Sequence, residues 1–157
     1  MANKFSSFIV PYTLDSKIFL VQTDTTVGFL SKDVELLYKS KQRDKSKKIL
    51  QELDSLATLK SLTRVPNIHK KRVRNSIKTT FIYPNHNSYR VVDKKSKHYN
   101  FISKFKSLYS TSANKSGEGF DEEYARNKAN IIVESKFSTQ NPSKIYRLTQ
   151  HKIKRIR

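Results

Sequence analysis

Short apolar runs rich in β-branched and aromatic residues recur along the chain, and each predicts a β-strand. Leu108 and Tyr109 lead directly into small hydroxyl residues, which is typical of a further strand that ends in a tight loop. The chain is therefore expected to contain a sheet of several short strands. The five apolar runs occupy residues 17–22, 78–83, 89–92, 131–133 and 144–148.

Helix-like stretches lie between the predicted strands. One covers residues 33–41, and apolar side chains three residues apart over 99–105 form the stripe of a second. A third covers 121–130, where three acidic residues at the start suit the positive N-terminal end of a helix dipole. Residues 47–53 (KKILQEL) have the composition of a helix, but their apolar positions also suit a short strand, so both stay open. Strands that alternate with helices predict an α/β (α+β) domain.

The sequence predicts one domain over residues 1–157. It shows no internal repeat and no linker rich in Gly, Ser or Pro, since the whole chain holds three glycines and four prolines. A chain of 157 residues can bury one core without the help of metals or disulfides. Hydrophobic residues make up only 36%, but eight Tyr and nine Phe supply bulky core volume.

Several classes of protein are disfavoured by what the sequence lacks. It has no cysteine, which excludes disulfides and thiolate chemistry. No apolar run approaches the ~20 residues that span a bilayer, so no membrane partner is expected. The N-terminal segment shows no signal-peptide cleavage pattern, which favours a cytoplasmic protein. No cluster has metal-ligand spacing, so no protein-bound metal is expected, and a surface position is predicted for His69, His86, His98 and His151.

Lys and Arg outnumber Asp and Glu by 32 to 13, which gives a net charge of +19. Such a surface attracts polyanions, above all nucleic acid or nucleotide phosphates, although biased composition with solvated lysines gives the same total. Residues 69–74 and 151–157 are the basic stretches nominated for RNA contact. The second alternates charge with isoleucine, so as a strand it could bury two isoleucines and present a cationic face. A solvated edge is the alternative for both stretches. The candidate RNA contacts are Lys70, Lys71, Arg72, Arg74, Lys152, Lys154 and Arg155.

Two short motifs in the first third of the chain could bind phosphate or another oxyanion. Residues 23–28 (TDTTVG) follow an apolar run, and their hydroxyl and backbone N–H groups can donate to an anion. An ordinary polar turn is the alternative. Lys41 and Arg43 are two residues apart, so in an extended segment both would face one phosphate chain. The alternative is a solvated charge run, because three more lysines follow within five residues.

Two further motifs lie beyond the middle of the chain. Residues 110–117 (STSANKSG) combine small hydroxyl side chains with Asn and Gly, which is typical of a functional loop at a strand end. An N-cap and turn before the helix at Asp121 is the alternative. Residues 141–145 (NPSKI) form a turn that feeds a strand and carry no chemistry by themselves.

Taken together, the content and order of these four motifs resemble the YrdC-like family. In that family the first motif reads P-T-D-T-x-Y-G and the second K-x-R-P, and residues 110–117 match the third almost letter for letter. Residues 90–92 (RVV) stand where the family has an R-[VI]-P strand. The resemblance runs from about Thr13 to the C-terminus and favours a strand over 47–53. It implies a single-domain twisted mixed sheet with flanking helices and a basic concave cavity.

The sequence departs from the family pattern at several positions. Gln22, Asp44 and Val92 stand where the family has proline, and Val27 replaces an aromatic residue. The family's W-P-G-P segment is not recognisable before Phe81, where residues 74–76 (RNS) stand instead. Each lost proline leaves more freedom in the loop frame. The fold is therefore expected to survive, and the catalytic rate is the property placed in doubt.

The resemblance implies an L-threonylcarbamoyladenylate synthase, a nucleotidyltransferase that joins L-threonine, bicarbonate and ATP, with Mg²⁺, into threonylcarbamoyl-AMP and pyrophosphate. Partner transferase proteins then pass the threonylcarbamoyl group to an adenosine of tRNA. Thr25, Lys41, Arg43, Ser112 and Asn114 are expected to surround one cavity. The implied roles are phosphate binding for Lys41 and Arg43, nucleotide binding for Ser112, Asn114 and Ser143, and contact with threonine or carbamate for Thr23, Thr25 and Arg90.

A second function remains open at this point. The chain could be a weakly active or inactive paralogue that keeps the basic cavity and binds tRNA or double-stranded RNA. Synthesis of the adenylate requires that Lys41, Arg43, Ser112 and Asn114 converge, whereas RNA binding alone does not.

Overall fold

The computed structural model of the protein describes residues 14–157, so the predictions about the N-terminal segment and Thr13 lie outside the described residues. The described strands are β1 (Phe19–Gln22), β2 (Val27–Ser31), β3 (Leu50–Leu53), β4 (Thr79–Ile82), β5 (Ser88–Val91), β6 (Ser107–Ser112), β7 (Ile131–Ile132), β8 (Lys144–Leu148) and β9 (Ile153–Arg155). The helices are α1 (Val34–Lys41), α2 (Leu56–Leu62), α3 (Lys70–Asn75), α4 (Lys97–Phe105) and α5 (Glu122–Lys128), with a short 3-10 helix at Asn67–His69.

All nine described strands form one sheet in the order β7-β1-β2-β6-β3-β5-β4-β8-β9. β6 is antiparallel to both of its neighbours, since Gly28 of β2 lies opposite Ser112 and Glu52 of β3 lies opposite Leu108. The pairs β1–β7, β3–β5 and β4–β8 are parallel. The sheet is therefore mixed, with helices packed on it, which confirms the predicted α/β class.

Side-chain caps mark the beginnings of α1, α2, α4 and α5. The Asp33 carboxylate accepts from the Glu35 N–H at the start of α1, at 2.9 Å. Ser96 caps α4 in the same way through the Tyr99 N–H, at 3.3 Å. Each such bond satisfies an amide that has no partner in the first turn, and its loss typically costs about 1 kcal/mol. The polar residues that precede these helices therefore set where they begin.

Apolar side chains pack on both faces of the sheet in three clusters. Phe19, Leu30 and Ile102 belong to the cluster under α4. The second cluster lies under α1 and α5 and includes Leu37 and Ala125. The third lies under α2 and α3; its members are Leu53, Leu59, Val65, Val73, Phe81, Tyr83, Tyr89 and Leu148. Helices thus cover much of the sheet, and the polar cavity described below occupies a part that they leave open.

The structure confirms the five predicted strands, with shorter bounds for most of them, and the three predicted helices. The open segment 47–53 contains the strand β3 rather than a helix. The pattern did not single out β2, whose apolar run is broken by Gly28 and ended by Ser31. It also did not single out α2 and α3, because helices of seven and six residues are too short to show a clear period.

Two expectations about surface positions are wrong. His69 and His98 are only 5% and 2% exposed, because His69 Nε2 bonds the Thr149 carbonyl and His98 Nε2 pairs with the Glu52 carboxylate. In the tail only Ile153 packs against the third cluster, while Ile156 is 47% exposed. The two isoleucines are three residues apart, so a strand directs them to opposite faces. Among residues 14–157 no helix has the length and apolar character needed to cross a membrane.

Candidate active site

A cavity of about 590 Å³ opens over the strand ends of β2, β4, β5, β6 and β8. Among the described residues that line it none is acidic, whereas Arg43, Lys48, Arg90 and Arg157 all reach it. The lining suits an anionic ligand, because hydroxyl groups and cations can donate to phosphate or carboxylate oxygens. Its hydroxyl side chains are Thr23, Thr25, Thr26, Thr80, Ser88, Ser110, Thr111, Ser112, Ser138, Thr139 and Ser143.

The turn between β1 and β2 brings two buried threonines to the cavity. Thr23 and Thr25 are 4% and 2% exposed, and their hydroxyl oxygens lie 3.2 Å apart. The Thr23 hydroxyl donates to the Thr26 carbonyl at 2.5 Å and accepts from the Thr25 N–H at 3.1 Å. Both side chains are therefore held in fixed positions by the turn itself. This is the geometry expected of residues that orient a small ligand.

Lys41 does not lie in an extended segment, and that expectation is wrong. It closes α1, and Gln42 takes a left-handed conformation with φ of 47°, as residues at helix ends often do. The Lys41 ammonium donates to the Ser112 carbonyl at 2.8 Å, and to the Asn114 carbonyl and side-chain oxygen at 2.6 and 3.2 Å. Lys41 is thus bound to the backbone of two residues that line the cavity. Its charge supports the 112–114 loop.

Burial, and to a lesser extent the nearby charge of Arg43, together lower the pKa of Lys41 from its ordinary value of 10.5 to about 8. The ammonium has left bulk water, since the residue is 8% exposed, and its described partners are oxygen dipoles rather than a carboxylate. Lys41 therefore has a lowered pKa and lies at the edge of the candidate site.

Arg43, two residues beyond Lys41, lines the cavity. Its Nε donates to the Lys47 carbonyl at 2.9 Å and an Nη donates to the Lys48 carbonyl at 3.3 Å. The local chain therefore fixes the guanidinium through its own backbone, and further donors of the five stay available for a ligand. The two cations of the K-x-R motif consequently serve different places: Lys41 supports the loop and Arg43 reaches the cavity.

The loop after β6 is held together by Asn114. The Asn114 amide nitrogen donates to the Lys115 and Glu118 carbonyls at 2.9 and 2.6 Å, while its oxygen accepts from Lys41. Ala113 continues the sheet by donating its N–H to the Val27 carbonyl at 2.9 Å. Asn114 therefore braces the loop, and Ser112 reaches the cavity beside it.

Ser143 lies on the far side of the cavity, at the start of β8. Its hydroxyl is 3.0 Å from the Thr80 hydroxyl, and its carbonyl accepts from the Arg157 Nε and an Nη at 3.2 and 3.1 Å. Arg157 and Thr80 are thus joined to a residue that the sequence had singled out. Sequence reasoning missed both, because Arg157 stands in a run of cations and Thr80 in an ordinary strand pattern.

A buried ionic network lies beneath the cavity. An Arg90 Nη is 2.5 Å from the Glu52 carboxylate and 3.3 Å from that of Asp24, and Glu52 also pairs with His98. All four side chains are at most 4% exposed. Arg90 lines the cavity while its charge is shared with two carboxylates inside the protein. A contact of Arg90 with threonine or carbamate would therefore compete with two internal carboxylates that the sequence could not place.

The two carboxylates of this network respond to burial in opposite ways. Burial alone would raise the pKa of Glu52, but attraction to Arg90 and then to His98 lowers it to about 2. Burial raises the pKa of Asp24, and the attraction of Arg90 offsets only part of that increase. Neither oxygen of Asp24 has a hydrogen-bond partner among the described residues. Glu52 is consequently the stable anion of the network.

Asp24, Glu52 and His98 also offer three ligand atoms that lie within 4.8 Å of one another. Such a set could in principle hold a metal ion. Arg90, however, already places a cation against both carboxylates, at 2.5 and 3.3 Å. The four residues therefore fit an internal ion-pair network better than a metal site.

The seven nominated RNA contacts lie outside this cavity. Four of them are on α3, and Lys152, Lys154 and Arg155 lie on or next to β9. The structure thus separates the residues singled out from the sequence into two regions. Thr23, Thr25, Arg43, Arg90, Ser112, Asn114 and Ser143 line one cavity, Lys41 binds behind it, and the basic stretches lie elsewhere.

Solved structures share this fold. P. abyssi Sua5 complexed with L-threonine matches with a TM-score of 0.72 and 14% identity, over 90% of this chain and 50% of that chain. E. coli YciO matches with a TM-score of 0.71 and 15% identity, over 90% and 82%. Full-length HypF in its phosphate- and nucleotide-bound form matches with a TM-score of 0.67 and 16% identity, over 90% and 26%.

These matches define the class of fold. The chain has a YrdC-like fold, and it spans about half the length of Sua5. No protein-family model and no curated protein matches its sequence. At 14–18% identity the structural likeness establishes the fold and leaves the reaction to be argued from the site.

Proposed function

We propose that the chain is a divergent YrdC-like protein that synthesises L-threonylcarbamoyladenylate from L-threonine, bicarbonate and ATP, with release of pyrophosphate. The observation that carries this proposal is the convergence of four separated motifs on one cavity whose described lining residues include no Asp or Glu. Thr25, Arg43, Ser112 and Ser143 come from distant parts of the chain and line the same space. A lining that, over the described part of the chain, carries several cations and no acidic side chain suits a triphosphate.

The reaction makes modest chemical demands on the protein. The threonine amine and bicarbonate first condense to the carbamate with loss of water. A carbamate oxygen then attacks the α-phosphorus of ATP, the bond from that phosphorus to the oxygen bridging to the β-phosphate breaks, and pyrophosphate leaves. Negative charge grows on the departing group, so fixed cations and positioned donors supply most of the catalysis. Arg43 is the cation best placed to do so, with Lys48 and Arg157 on the same lining. Mg²⁺ would enter with ATP and share this charge.

Threonine is assigned to the turn between β1 and β2. Thr23 and Thr25 are buried and mutually hydrogen-bonded, which gives a small polar surface of defined shape. P. abyssi Sua5, which shares the fold, has been solved with L-threonine. The nucleotide would then extend towards Ser112 and Ser143. The threonylcarbamoyl-AMP product would pass to transferase proteins that modify tRNA.

Hydrogen bonds replace the three prolines that the family pattern leads one to expect. Gln22 accepts from the Ser138 N–H and donates its own N–H to Glu134, both at 2.8 Å. Asp44 accepts from the Ser46 N–H at 2.8 Å, and the Val92 N–H donates to the Leu53 carbonyl at 2.9 Å. A proline could not donate at the last position. The loop frame is thus fixed by a different set of contacts, which supports a working site.

The test is threonine-dependent pyrophosphate release from ATP and bicarbonate. If Arg43 binds the phosphates, Arg43→Ala should slow this release by about 10–100-fold, because a charge-assisted bond contributes about 1.5–3 kcal/mol and each 1.4 kcal/mol is tenfold. The melting temperature should hardly change, since Arg43 is only half-buried and its bonds are to exposed backbone.

Lys47→Ala and Lys95→Ala remove exposed charges of the same sign and should leave the rate intact. Equal losses in all three variants would show that bulk charge matters rather than Arg43. A purified protein that releases no pyrophosphate in a threonine-dependent way would overturn the proposal itself.

A further inference from the structure

Acidic residues are absent from two long stretches of the chain. Residues 55–92 contain eight Lys or Arg and residues 135–157 contain seven, and neither stretch contains an Asp or Glu. They form α2, α3, β4 and β5 in the first stretch and β8 and β9 in the second. These strands are consecutive at one end of the sheet, in the order β5-β4-β8-β9. The net positive charge is therefore concentrated at one end of the molecule.

Specific contacts hold α3 against the β8–β9 hairpin. The buried His69, next to the start of α3, bonds the Thr149 carbonyl in the hairpin turn at 3.1 Å. The Arg72 guanidinium lies 5.4 Å from the centre of the Tyr146 ring, and Arg155 is the residue paired with Tyr146 across the hairpin. The cations of two distant sequence segments thus form one continuous surface, which we call the cationic end. It comprises Lys70, Lys71, Arg72, Arg74, Lys152 and Arg155.

The side chains of the cationic end face solvent without acidic partners. Lys71, Arg74, Lys152 and Arg155 are exposed, and the ion pairs found among residues 14–157 involve none of the six residues. Val73, the apolar residue of α3, is 4% exposed and packs inward. Like charges at this density repel one another, so an external polyanion would relieve a cost that the fold itself leaves uncompensated.

The cationic end is separate from the candidate active site. Along β4 and β8, Thr80, Ile82 and Ile145 line the cavity, whereas Phe81 and Tyr146 pack in the cluster under α2 and α3. Successive side chains of a strand point to opposite faces, so cavity and cationic end lie on opposite sides of the same strands. Lys154 is paired with Arg147 and lies on the other face from Arg155. We therefore leave Lys154 out of this surface.

We propose that the cationic end is an RNA-binding surface that holds the phosphate backbone of a folded RNA while the cavity on the other side stays free. Phosphodiester backbones fit because the cations are spread over a helix and a hairpin rather than gathered around one point. An anionic membrane fits less well, since α3 has six residues and buries Val73, and the exposed Ile68 and Ile77 lie outside the helix, nine residues apart, so α3 has no apolar face to insert. Such contacts specify little sequence and depend strongly on salt.

The proposal is tested by measuring the binding of an unmodified tRNA transcript. Fluorescence anisotropy reports the affinity at salt concentrations from about 50 to about 300 mM. The test variant carries Lys71→Gln, Arg74→Gln, Lys152→Gln and Arg155→Gln. The control variant loses the same charge at four exposed lysines elsewhere, as Lys94→Gln, Lys95→Gln, Lys97→Gln and Lys128→Gln.

The test variant should bind about tenfold or more weakly at the low-salt end, and its log–log salt slope should be shallower by roughly one for each lost phosphate contact. The control variant should keep most of the affinity and slope of the unmodified protein. Thermal melts followed by circular dichroism show whether both variants are folded. If the fourfold test variant does not fold, a double variant with Lys71→Gln and Lys152→Gln replaces it.

Three outcomes would overturn the proposal. Equal weakening in the test and control variants would show that total charge binds RNA and no surface does. Affinity that does not change with salt would exclude phosphate contacts. Vesicles of phosphatidylserine and phosphatidylcholine that bind more tightly than tRNA, with the same dependence on the four residues, would assign the surface to membranes.

Discussion

At the scale of single residues, the two cations of the K-x-R motif have different roles although their spacing suggests a shared one. Lys41 and Arg43 stand two apart in a motif that invites one shared role. The left-handed Gln42 between them turns Lys41 towards three oxygens of the 112–114 loop and leaves Arg43 at the cavity. A change at either position should therefore have a distinguishable effect.

The Lys41 amine is expected to titrate near pH 8. Its ammonium form holds the loop carbonyls, so pyrophosphate release should fall as the pH rises through about 8. Lys41→Arg keeps its charge at high pH and should move this fall upwards, at some cost in rate because the guanidinium is larger. NMR of ε-labelled lysine measures the pKa directly. A Lys41 resonance whose pKa equals the ordinary value of 10.5 would contradict the assignment.

Glu52 is expected to be the most sensitive residue of the buried network. Glu52→Gln keeps the shape but removes the anion shared by Arg90 and His98, which should lower the free energy of unfolding by about 3–5 kcal/mol at neutral pH. The pKa of Glu52 is lowered on folding, so its contribution is complete above its ordinary value of 4.5. It is then lost as the pH falls towards about 2.

Urea denaturation at several pH values measures this contribution. The difference in unfolding free energy between the original protein and Glu52→Gln should shrink as the pH is lowered through that window. Asp24 acts in the opposite direction, because its pKa is raised on folding, and Glu52 contributes to that rise, so both proteins are measured in an Asp24→Asn background to remove its effect from the difference. A difference that stays constant with pH would show that Glu52 is not an anion in the folded state.

Most of the residues that line the candidate site could be predicted from the order of the motifs, but few of the hydrogen bonds and ion pairs between them could. Seven of the eight residues singled out line the cavity, because the β1–β2 turn, the chain after α1, the strand β5, the end of β6 and the start of β8 all meet there. The partners of Arg90 could not be foreseen. Glu52 stands in a segment that fitted helix or strand equally, and His98 lies 46 residues away from it, so no spacing joins them.

At the scale of elements, β2 is closely packed at Gly28. A Cβ there would lie 3.0 Å from Leu30 Cδ1 and 3.1 Å from Thr23 Cγ2. Thr23 cannot yield easily, since its hydroxyl is bonded within the turn. Gly28→Ala should therefore cost about 1–3 kcal/mol of unfolding free energy.

Gly119→Ala is the matched control for Gly28→Ala, because a Cβ at Gly119 would meet nothing within 4 Å. Chemical denaturation of both variants makes the comparison. Equal stability of the two would mean that β2 and the threonine turn are looser than the contacts around Gly28 indicate.

Elements with a strong local signal could be predicted, and elements fixed by their neighbours could not. β8 was predicted with its observed bounds, since residues 144–148 (KIYRL) form a short run with β-branched and aromatic residues directly after a turn. β3 stayed open between helix and strand because pairing decided it: Gln51 lies opposite both Tyr109 and Tyr89. Tertiary pairing of this kind overrides a helix-like composition.

At the scale of the whole molecule, the cavity draws its lining from residues 23 to 157 and exists only in the native sheet. An anion that binds there should stabilise the whole fold by mass action, by roughly 2.7 kcal/mol at one hundred times its Kd. Tripolyphosphate should accordingly raise the melting temperature of the protein, and raise it much less in Arg43→Ala. Lys47→Ala should respond like the original protein. An equal rise in all three would place the binding elsewhere on the charged surface.

β6 joins two parts of the sheet that share no other strand. On one side lie β7, β1 and β2, and on the other β3, β5, β4, β8 and β9. Because β6 comprises residues 107–112, about two thirds of the chain must leave the ribosome before the halves can be connected. Pairings this distant close slowly, so refolding is expected on the millisecond-to-second scale. During synthesis β2 and β3 would meanwhile expose unpaired edges, and the nascent chain would depend on its positive charge, or on a chaperone, to avoid aggregation.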